Sequence, residues 1–483
     1  MGKRFTTKQD SSILNTIDCF LIPFIAFAGI ATRFWLQAWP NYVTFDEVHF
    51  GGFTNGYIKQ EYFFDIHPPL AKLLIAFIAY LGGYKGDIDF DELYAQQYPS
   101  PDFVTLRFTP ELFSSLVPVL LYISMRIIKF PIFPSLIPSI FILFDTSMIA
   151  EGRFILTDGI LHFFVSLHIL ALFYSLKKPS FFNQFMAGIT LGCACSCKNT
   201  AWGLPVLDGV INIYIVLKIY KFKIAERFDD ILLSILVRGI ILLSMLLLIY
   251  YFCFVIHIVC LPYHGEGSDF LDRKVRKTVL NKSDTLTPLS TRLNSPSMFY
   301  RVISLNSIMH QSNMNIQSFH PYQSTPQSWP LLTSCYVAFI VLPENREVIC
   351  LGNLFVYYPS FLAVLFLTVC FYLDWRYFMI VFGYFVHYLP FFLIPRCMFN
   401  YHYQIPLIFS AMAAGMVVDM VRWKKVKIFV VLGLVVAAFV GFLIWQPFVY
   451  GTHCSNPRKR ILTRNWSFGD KGHRALAALH QDD

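Results

Sequence analysis

Charge is what this chain has least of. Only 14% of its 483 residues are Asp, Glu, Lys or Arg, against about a quarter in an ordinary soluble domain. That shortage excludes a soluble globular enzyme. Metal-ligand patterning is missing too. The 11 cysteines are scattered, mostly inside apolar runs. CACSC at 193–197 has no paired CxxC or histidine set beside it, so packing cysteines are expected there and not a metal site. No internal repeat is seen, which speaks against a transporter built from repeated halves. A cleavable leader is not expected. The first apolar run, ILNTIDCFLIPFIAFAGIATRFWL, is long enough to span and shows no clear small-residue cleavage site. The net charge of +9 is modest; it fits a topology signal and implies no nucleic-acid partner.

What is present is apolar. Hydrophobic residues make up 56% of the chain, and long apolar runs recur along almost all of it, the mark of a polytopic, all-α membrane protein. Spans are expected at 13–36, 106–127, 132–150, 155–175, 183–199, 203–219, 236–260, 353–372, 377–394, 403–421 and 427–448. The apolar stretch after HPPL is short and breaks at LGGYKGDID, so it reads as a juxtamembrane or re-entrant helix. With the basic head MGKRFTTK in the cytosol, that choice puts the basic loops RIIKF, LKKPSFF, KIYKFKIAERFDD, DWR and RWKKVK on the same side. The opposite, lumenal side receives the first loop (37–105), a long polar loop (261–352) and the tail (449–483). The parts thus run 1–260, 261–352, 353–448 and 449–483. The sequons at Asn281 and Asn465 also fall on the lumenal side, which suggests glycosylation in the endoplasmic reticulum. The long loop is rich in Ser, Asn, Thr and Pro, and its first half reads as poorly ordered.

The unusual polar groups cluster on that lumenal face: Asp46, Glu47, His49, Asp65, His67, Lys72, Arg107, Glu151, Arg153, Asp158, Arg396 and His402. Ionisable groups at membrane depth are costly, so they mark a cavity or substrate path. Several of these blocks have a plainer reading, though the one for HPPL does not cover His67 and Lys72. Asp46 can cap a helix, the prolines of HPPL suit a helix start, Arg107 can snorkel, and Glu151 can pair with Arg153. Asp18, inside the first span, has no assigned role. Carboxylates beside arginines fit a site that moves a proton and holds an anion.

These blocks resemble the protein O-mannosyltransferases. The resemblance is carried by FDEVHFGGFTNGYIKQEYFFDIHPPLAKLL, LRFTPELFSSL, LFDTSMIAEGRFILTDGILHFF, LGCACSCKNTAWG, HGEGSDF, HPYQSTPQSWPLL and LPFFLIPRCMFNYHYQIPL, and it leans towards the homodimerising fungal branch. About fifty residues separate HGEGSDF from HPYQSTPQSWP, too few for the family's usual three β-trefoil repeats, so a compact member without that MIR domain is expected.

The resemblance implies a GT-C glycosyltransferase fold with about eleven transmembrane helices and lumenal juxtamembrane helices. It implies transfer of mannose from dolichyl-phosphate mannose to Ser or Thr of secretory proteins, in the endoplasmic reticulum membrane. It also implies a homodimer or a heterodimer with a related enzyme. A β-linked donor and an α-linked product call for one inverting displacement and one base. Asp46 is the expected base and Glu47 its companion in the catalytic pair. Arg107 first, then Arg396, with Arg153 and Lys72 in support, are expected on the phosphate. His67 and His402 are expected to donate hydrogen bonds to phosphate or sugar. His49, Glu151, Asp158, His320 and Tyr322 are expected to support the acceptor or the site. No sugar-nucleotide metal motif is recognised on the lumenal side, so no obligatory metal or other cofactor is expected. A transporter or lipid flippase, or a non-catalytic relative, is the alternative.

Overall fold

The computed structural model describes residues 14–91, 93, 96–282, 296–316, 319–333, 335–463, 466 and 468. Inside lipid a backbone must satisfy its own hydrogen bonds, so the apolar runs become helices. They are α1 (Thr16–Phe34), α2 (Glu47–Lys59), α3 (Leu70–Leu81), α4 (Phe103–Ile127), α5 (Ile132–Phe144), α6 (Thr146–Glu151), α7 (Asp158–Lys177) and α8 (Phe181–Cys195). Then come α9 (Leu204–Ile219), α10 (Phe228–Cys260), α11 (Arg273–Arg276), α12 (Met298–Met314), α13 (Leu354–Cys370), α14 (Trp375–Tyr388), α15 (Gln404–Asp419) and α16 (Lys424–Tyr450). Seven segments are long and apolar enough to cross a membrane: α1, α4, α7, α9 with its leading turn, α10, α13 with its trailing turn, and α16. The other four expected spans fall on α5, α8, α14 and α15, of 13, 15, 14 and 16 residues. Most of these are lengthened by neighbours: α5 runs through Asp145 into α6, α14 into the turn Leu389–Phe392, and α15 is led by Asn400–Tyr403. The helix after HPPL, α3, has 12 residues and falls short of a span.

The centre of the bundle is α15, buried along almost its whole length and packed against α5, α13 and α14. Small residues let it in. A Cβ on Gly415 would sit 2.5 Å from the Pro134 carbonyl oxygen of α5, so glycine is what permits the approach. Asp18 now has a role. It accepts the Asn15 amide at 2.7 Å, Arg126 Nε at 3.0 Å and Arg126 Nη2 at 2.9 Å, and takes the Tyr122 hydroxyl as well. It caps α1 and ties it to α4. Asp18→Asn should therefore lower stability by about 1–3 kcal/mol, read as a drop in thermal midpoint.

The long polar loop is better built than its composition suggests. Residues 262–264 pair with 60–62 through Tyr62 N to Tyr263 O (2.8 Å) and Tyr263 N to Gln60 O (3.1 Å). A Cβ on Gly267 would lie 2.1 Å from the Phe64 amide nitrogen, so this glycine seats the loop on the FFD stretch. The helix α12 packs Val302, Leu305 and Met309 against Phe254 of α10. An antiparallel hairpin, β1 (Val337–Leu342) and β2 (Arg346–Cys350), closes the segment. The expected poor order of its first half is thus corrected for 261–282. The signal sits in Gly267, in Gly265, where a Cβ would lie 2.4 Å from the Tyr62 carbonyl oxygen, and in a backbone ladder, none of which composition registers.

Candidate active site

The loop between α1 and α3 delivers two adjacent carboxylates into opposite situations. Glu47 is fully buried and accepts five hydrogen bonds. Arg107 Nε reaches Oε1 at 2.7 Å and Arg107 Nη2 reaches Oε2 at 2.8 Å. The amides of Thr44 (2.9 Å) and Ile155 (3.0 Å) and the Tyr98 hydroxyl (3.1 Å) complete the set. Asp46, at the start of α2, makes no capping bond, and its carboxylate accepts no hydrogen bond from a described residue. Burial, against the nearby His49 and Lys198, lifts its pKa to about 6. A half-buried carboxylate without partners, near neutral in proton affinity, is a group available for proton transfer.

Lys198, whose charge acts on Asp46, lines a cavity of about 320 Å³; Asp46 itself is not in the lining. One end is polar, with Lys198, Arg396, His67 and Asn313. The other is apolar, with Trp202, Val206, Ile394 and Phe391. Lys198 lies between α8 and α9 and donates to both oxygens of Asp158, each at 2.9 Å. It also faces the Tyr401 ring at 5.2 Å. Arg396 donates to Asn313 Oδ1 and to the Cys397 carbonyl. The backbone ties Cys397 N to Ile316 O (3.3 Å) and Ser324 N to Met398 O (2.8 Å), so the loop after α12 and the loop before α15 close the cavity together. His67 Nδ1 is buried without a partner. Burial and the charges of Lys198 and Lys72 keep this imidazole well below its usual pKa, hence neutral. Burial likewise pushes His402 down to about 3; it stacks on Tyr401 at 4.8 Å.

Other expected site residues lie elsewhere. Arg107 is consumed by Glu47 and by the carbonyls of Pro40 (2.8 Å) and Tyr42 (3.1 Å). Arg153 holds the carbonyls of Arg33 (3.1 Å), Trp35 (2.6 Å), Leu36 (3.0 Å) and Val449 (3.1 Å), and does not pair with Glu151. Lys72 turns back to Asp65 and to the His67 (2.8 Å) and Pro68 (3.1 Å) carbonyls. It staples the DIHPP loop, while Leu70 N bonds Ser196 O at 2.9 Å. None of these three cations lines the cavity. A buried guanidinium finds carbonyls at helix ends as readily as it finds phosphate, and a sequence does not distinguish the two. His49 is exposed and stacks on Phe53 at 6.5 Å. His320 and Tyr322 sit on an aromatic wall with Phe399 and Tyr336, outside the cavity lining. Asn281 is exposed, whereas Asn465 lies outside the described residues.

Lys198, Tyr401, Asn313 and Trp202 were missed as site residues. A lysine ending an apolar run on the lumenal side was the available signal for the first. The run Asp87-Ile88-Asp89-Phe90-Asp91 was also overlooked, and it carries the D-x-D spacing. Its acids are exposed while Ile88 and Phe90 are buried, the pattern of a solvated edge. Among the described residues, no group of three or more His, Cys, Asp or Glu is placed to hold a metal ion.

Comparison with known proteins decides the family. Residues 24–261 match the family model for dolichyl-phosphate-mannose-protein mannosyltransferase, and residues 298–379 and 371–468 match the C-terminal four-span region of protein O-mannosyltransferase. The chain belongs to the protein O-mannosyltransferase family. Dolichyl-phosphate-mannose–protein mannosyltransferase 4 of Schizosaccharomyces pombe is 29% identical over 343 residues, 68% of this chain and 42% of that protein. Dolichyl-phosphate-mannose–protein mannosyltransferase 1 of Saccharomyces cerevisiae is 32% identical over 254 residues, 50% of this chain and 30% of that one. The chain thus spans less than half the length of these curated relatives. In the S. cerevisiae Pmt1-Pmt2 complex bound to the sugar donor, a protein O-mannosyltransferase chain superposes with a TM-score of 0.82 at 19% identity, covering 95% of this chain and 94% of that one. The archaeal oligosaccharyltransferase AglB of Archaeoglobus fulgidus superposes at 0.52 with 12% identity, covering 91% and 56%. The fold is that of the GT-C glycosyltransferases, helical and membrane-spanning.

Proposed function

We propose that this chain transfers mannose from dolichyl-phosphate mannose to Ser or Thr hydroxyls of polypeptides entering the secretory pathway. One observation carries the reading: a cavity has cations at its polar end and apolar walls at the other, and one of those cations, Lys198, acts on a carboxylate that has no partner. A polyprenyl chain suits the walls of Trp202, Val206 and Ile394, and its phosphate suits Lys198 and Arg396. Asp46 then takes the acceptor proton as the new C–O bond forms and the C–O bond to phosphate breaks, inverting the anomeric carbon. The phosphate leaves with an added negative charge, which the two cations stabilise. Neutral His67 and His402 supply hydrogen bonds without adding charge. Glu47 fixes Arg107 and with it the loop that presents Asp46. No second carboxylate nucleophile is needed.

The lumenal side of the endoplasmic reticulum membrane, with the N-terminus cytosolic and the tail lumenal, fits the distribution of basic loops. A homodimer, or pairing with a related mannosyltransferase, is in keeping with the two-chain assembly of the solved relative. A compact member without β-trefoil repeats in the long loop is part of this reading, on the roughly fifty residues between HGEGSDF and HPYQSTPQSWP. Lys198→Met should cut donor kcat/KM roughly 10²-fold or more. A transfer assay with varied donor checks it. An unchanged donor kcat/KM would remove Lys198 from the phosphate.

A further inference from the structure

Behind the cavity, and resting on the reading just given, three carboxylates meet one ammonium. Asp46 comes from the start of α2, Glu151 from the end of α6, Asp158 from the start of α7, and Lys198 from the turn between α8 and α9. The single cation is taken, because Lys198 Nζ is 2.9 Å from both Asp158 oxygens. Glu151 is 2% exposed, and its Oε1 has no hydrogen-bond partner. It is not among the residues that line the cavity described above. An ionised carboxylate buried there would have only the Cys350 thiol and the Lys198 charge, already paired with Asp158, to offset its desolvation.

The groups around it pull both ways. The charges of Asp158 and Asp46 oppose ionisation of Glu151, whereas Lys198 and a hydrogen bond with the Cys350 thiol at the end of β2 favour it. Tyr401, from the loop before α15, is within reach of its charge. The helix α16, packed on α6, offers Tyr450, whose hydroxyl is committed to the Thr32 carbonyl at 2.8 Å. The next cation along the chain, Arg153, is committed to four carbonyls. On the α5 side, Asp145 is occupied by Ser147 and by the Met148 and Asn353 amides. Burial first, then the Asp158 charge, holds the Glu151 carboxyl well above the usual carboxylate range.

We propose that Glu151 is a positioning residue that works as a neutral carboxylic acid, and that loss of its proton sets the alkaline limit of donor use. An ionised Glu151 would compete with Asp158 for Lys198. It would also place a negative charge beside the one arriving on the lipid phosphate. Donor affinity would then fall as pH rises, with no bond made or broken at Glu151 itself.

Two measurements on the full-length protein in lipid test this. Infrared difference spectra at neutral pH, wild type minus Glu151→Gln, should show the carbonyl stretch of a protonated carboxylic acid. The donor KM of the wild type should rise about fivefold or more between about pH 7 and about pH 9, while that of Glu151→Gln stays flat. If Glu151→Gln fails to fold, Glu151→Met serves for the same subtraction. A difference spectrum without the band, or a variant KM that climbs in parallel with the wild type, overturns the proposal. The infrared band needs no turnover. A protein that shows it yet transfers no mannose would strike the enzyme reading and leave the neutral Glu151 standing.

Discussion

Asp46→Asn should abolish mannose transfer while donor binding persists. The exchange is isosteric and leaves every described hydrogen bond in place, because the Asp46 carboxylate makes none. An amide does not accept the acceptor proton, so the rate should fall about 10²- to 10⁴-fold. The pH profile should agree. Burial holds the carboxyl at about 6, above the ordinary carboxylate range, so the protonated and inactive form accumulates as pH falls below that value. Wild-type kcat/KM should therefore drop on the acid side with a midpoint about there, and the residual rate of Asp46→Asn should be flat across the same limb. Labelled mannose transfer to a Ser/Thr-rich peptide, with donor binding measured in parallel, checks both. A variant at full rate would remove Asp46 as the base. Glu47 is a poor replacement, because both of its oxygens are occupied by the five donors already described.

The legible part of this protein was the part written in composition and in long runs. Helices α1, α4, α7, α9, α10, α13 and α16 follow from apolar stretches that outlast a bilayer's thickness. The distribution of Arg and Lys among short loops then separates the two faces. Asp46 was legible because FDE interrupts that pattern on the lumenal side. Arg107 and Arg153 were legible as unusual and illegible in their task. Their partners are carbonyl oxygens and a carboxylate brought close by the fold, and no spacing in the sequence encodes a backbone carbonyl. Lys198 was passed over for the converse reason. It follows the small residues of CACSC, which look like packing alone, and it becomes a site residue only when α8 and α9 turn it towards Asp158 and the cavity. Asp18 shows the same limit at the start of α1, where its meaning lies 108 residues away in Arg126.

Arg107→Met should destabilise the protein more than any other single change to the site, because it strands Glu47. Both partners of that ion pair are fully buried. Forming such a pair gains little over apolar contacts, yet removing one member leaves an uncompensated charge and costs about 3–5 kcal/mol. The double variant Glu47→Gln with Arg107→Met should recover part of that loss. Residues in direct contact commonly couple by about 0.5–3 kcal/mol, and the double variant no longer buries a lone charge. Thermal midpoints of the four proteins in detergent or lipid close the cycle. The same set separates the two tasks open to Arg107. A phosphate ligand, once removed, raises the donor KM and leaves the midpoint where it was. A clamp, once removed, lowers the midpoint and the folded fraction, while the donor KM of the surviving protein holds. Arg107 donates to Glu47 through two nitrogens and to the carbonyls of Pro40, Tyr42 and Gln37, which occupies all five of its N–H groups. The clamp is the expected result, and a shifted donor KM at an unchanged midpoint would return Arg107 to the leaving group.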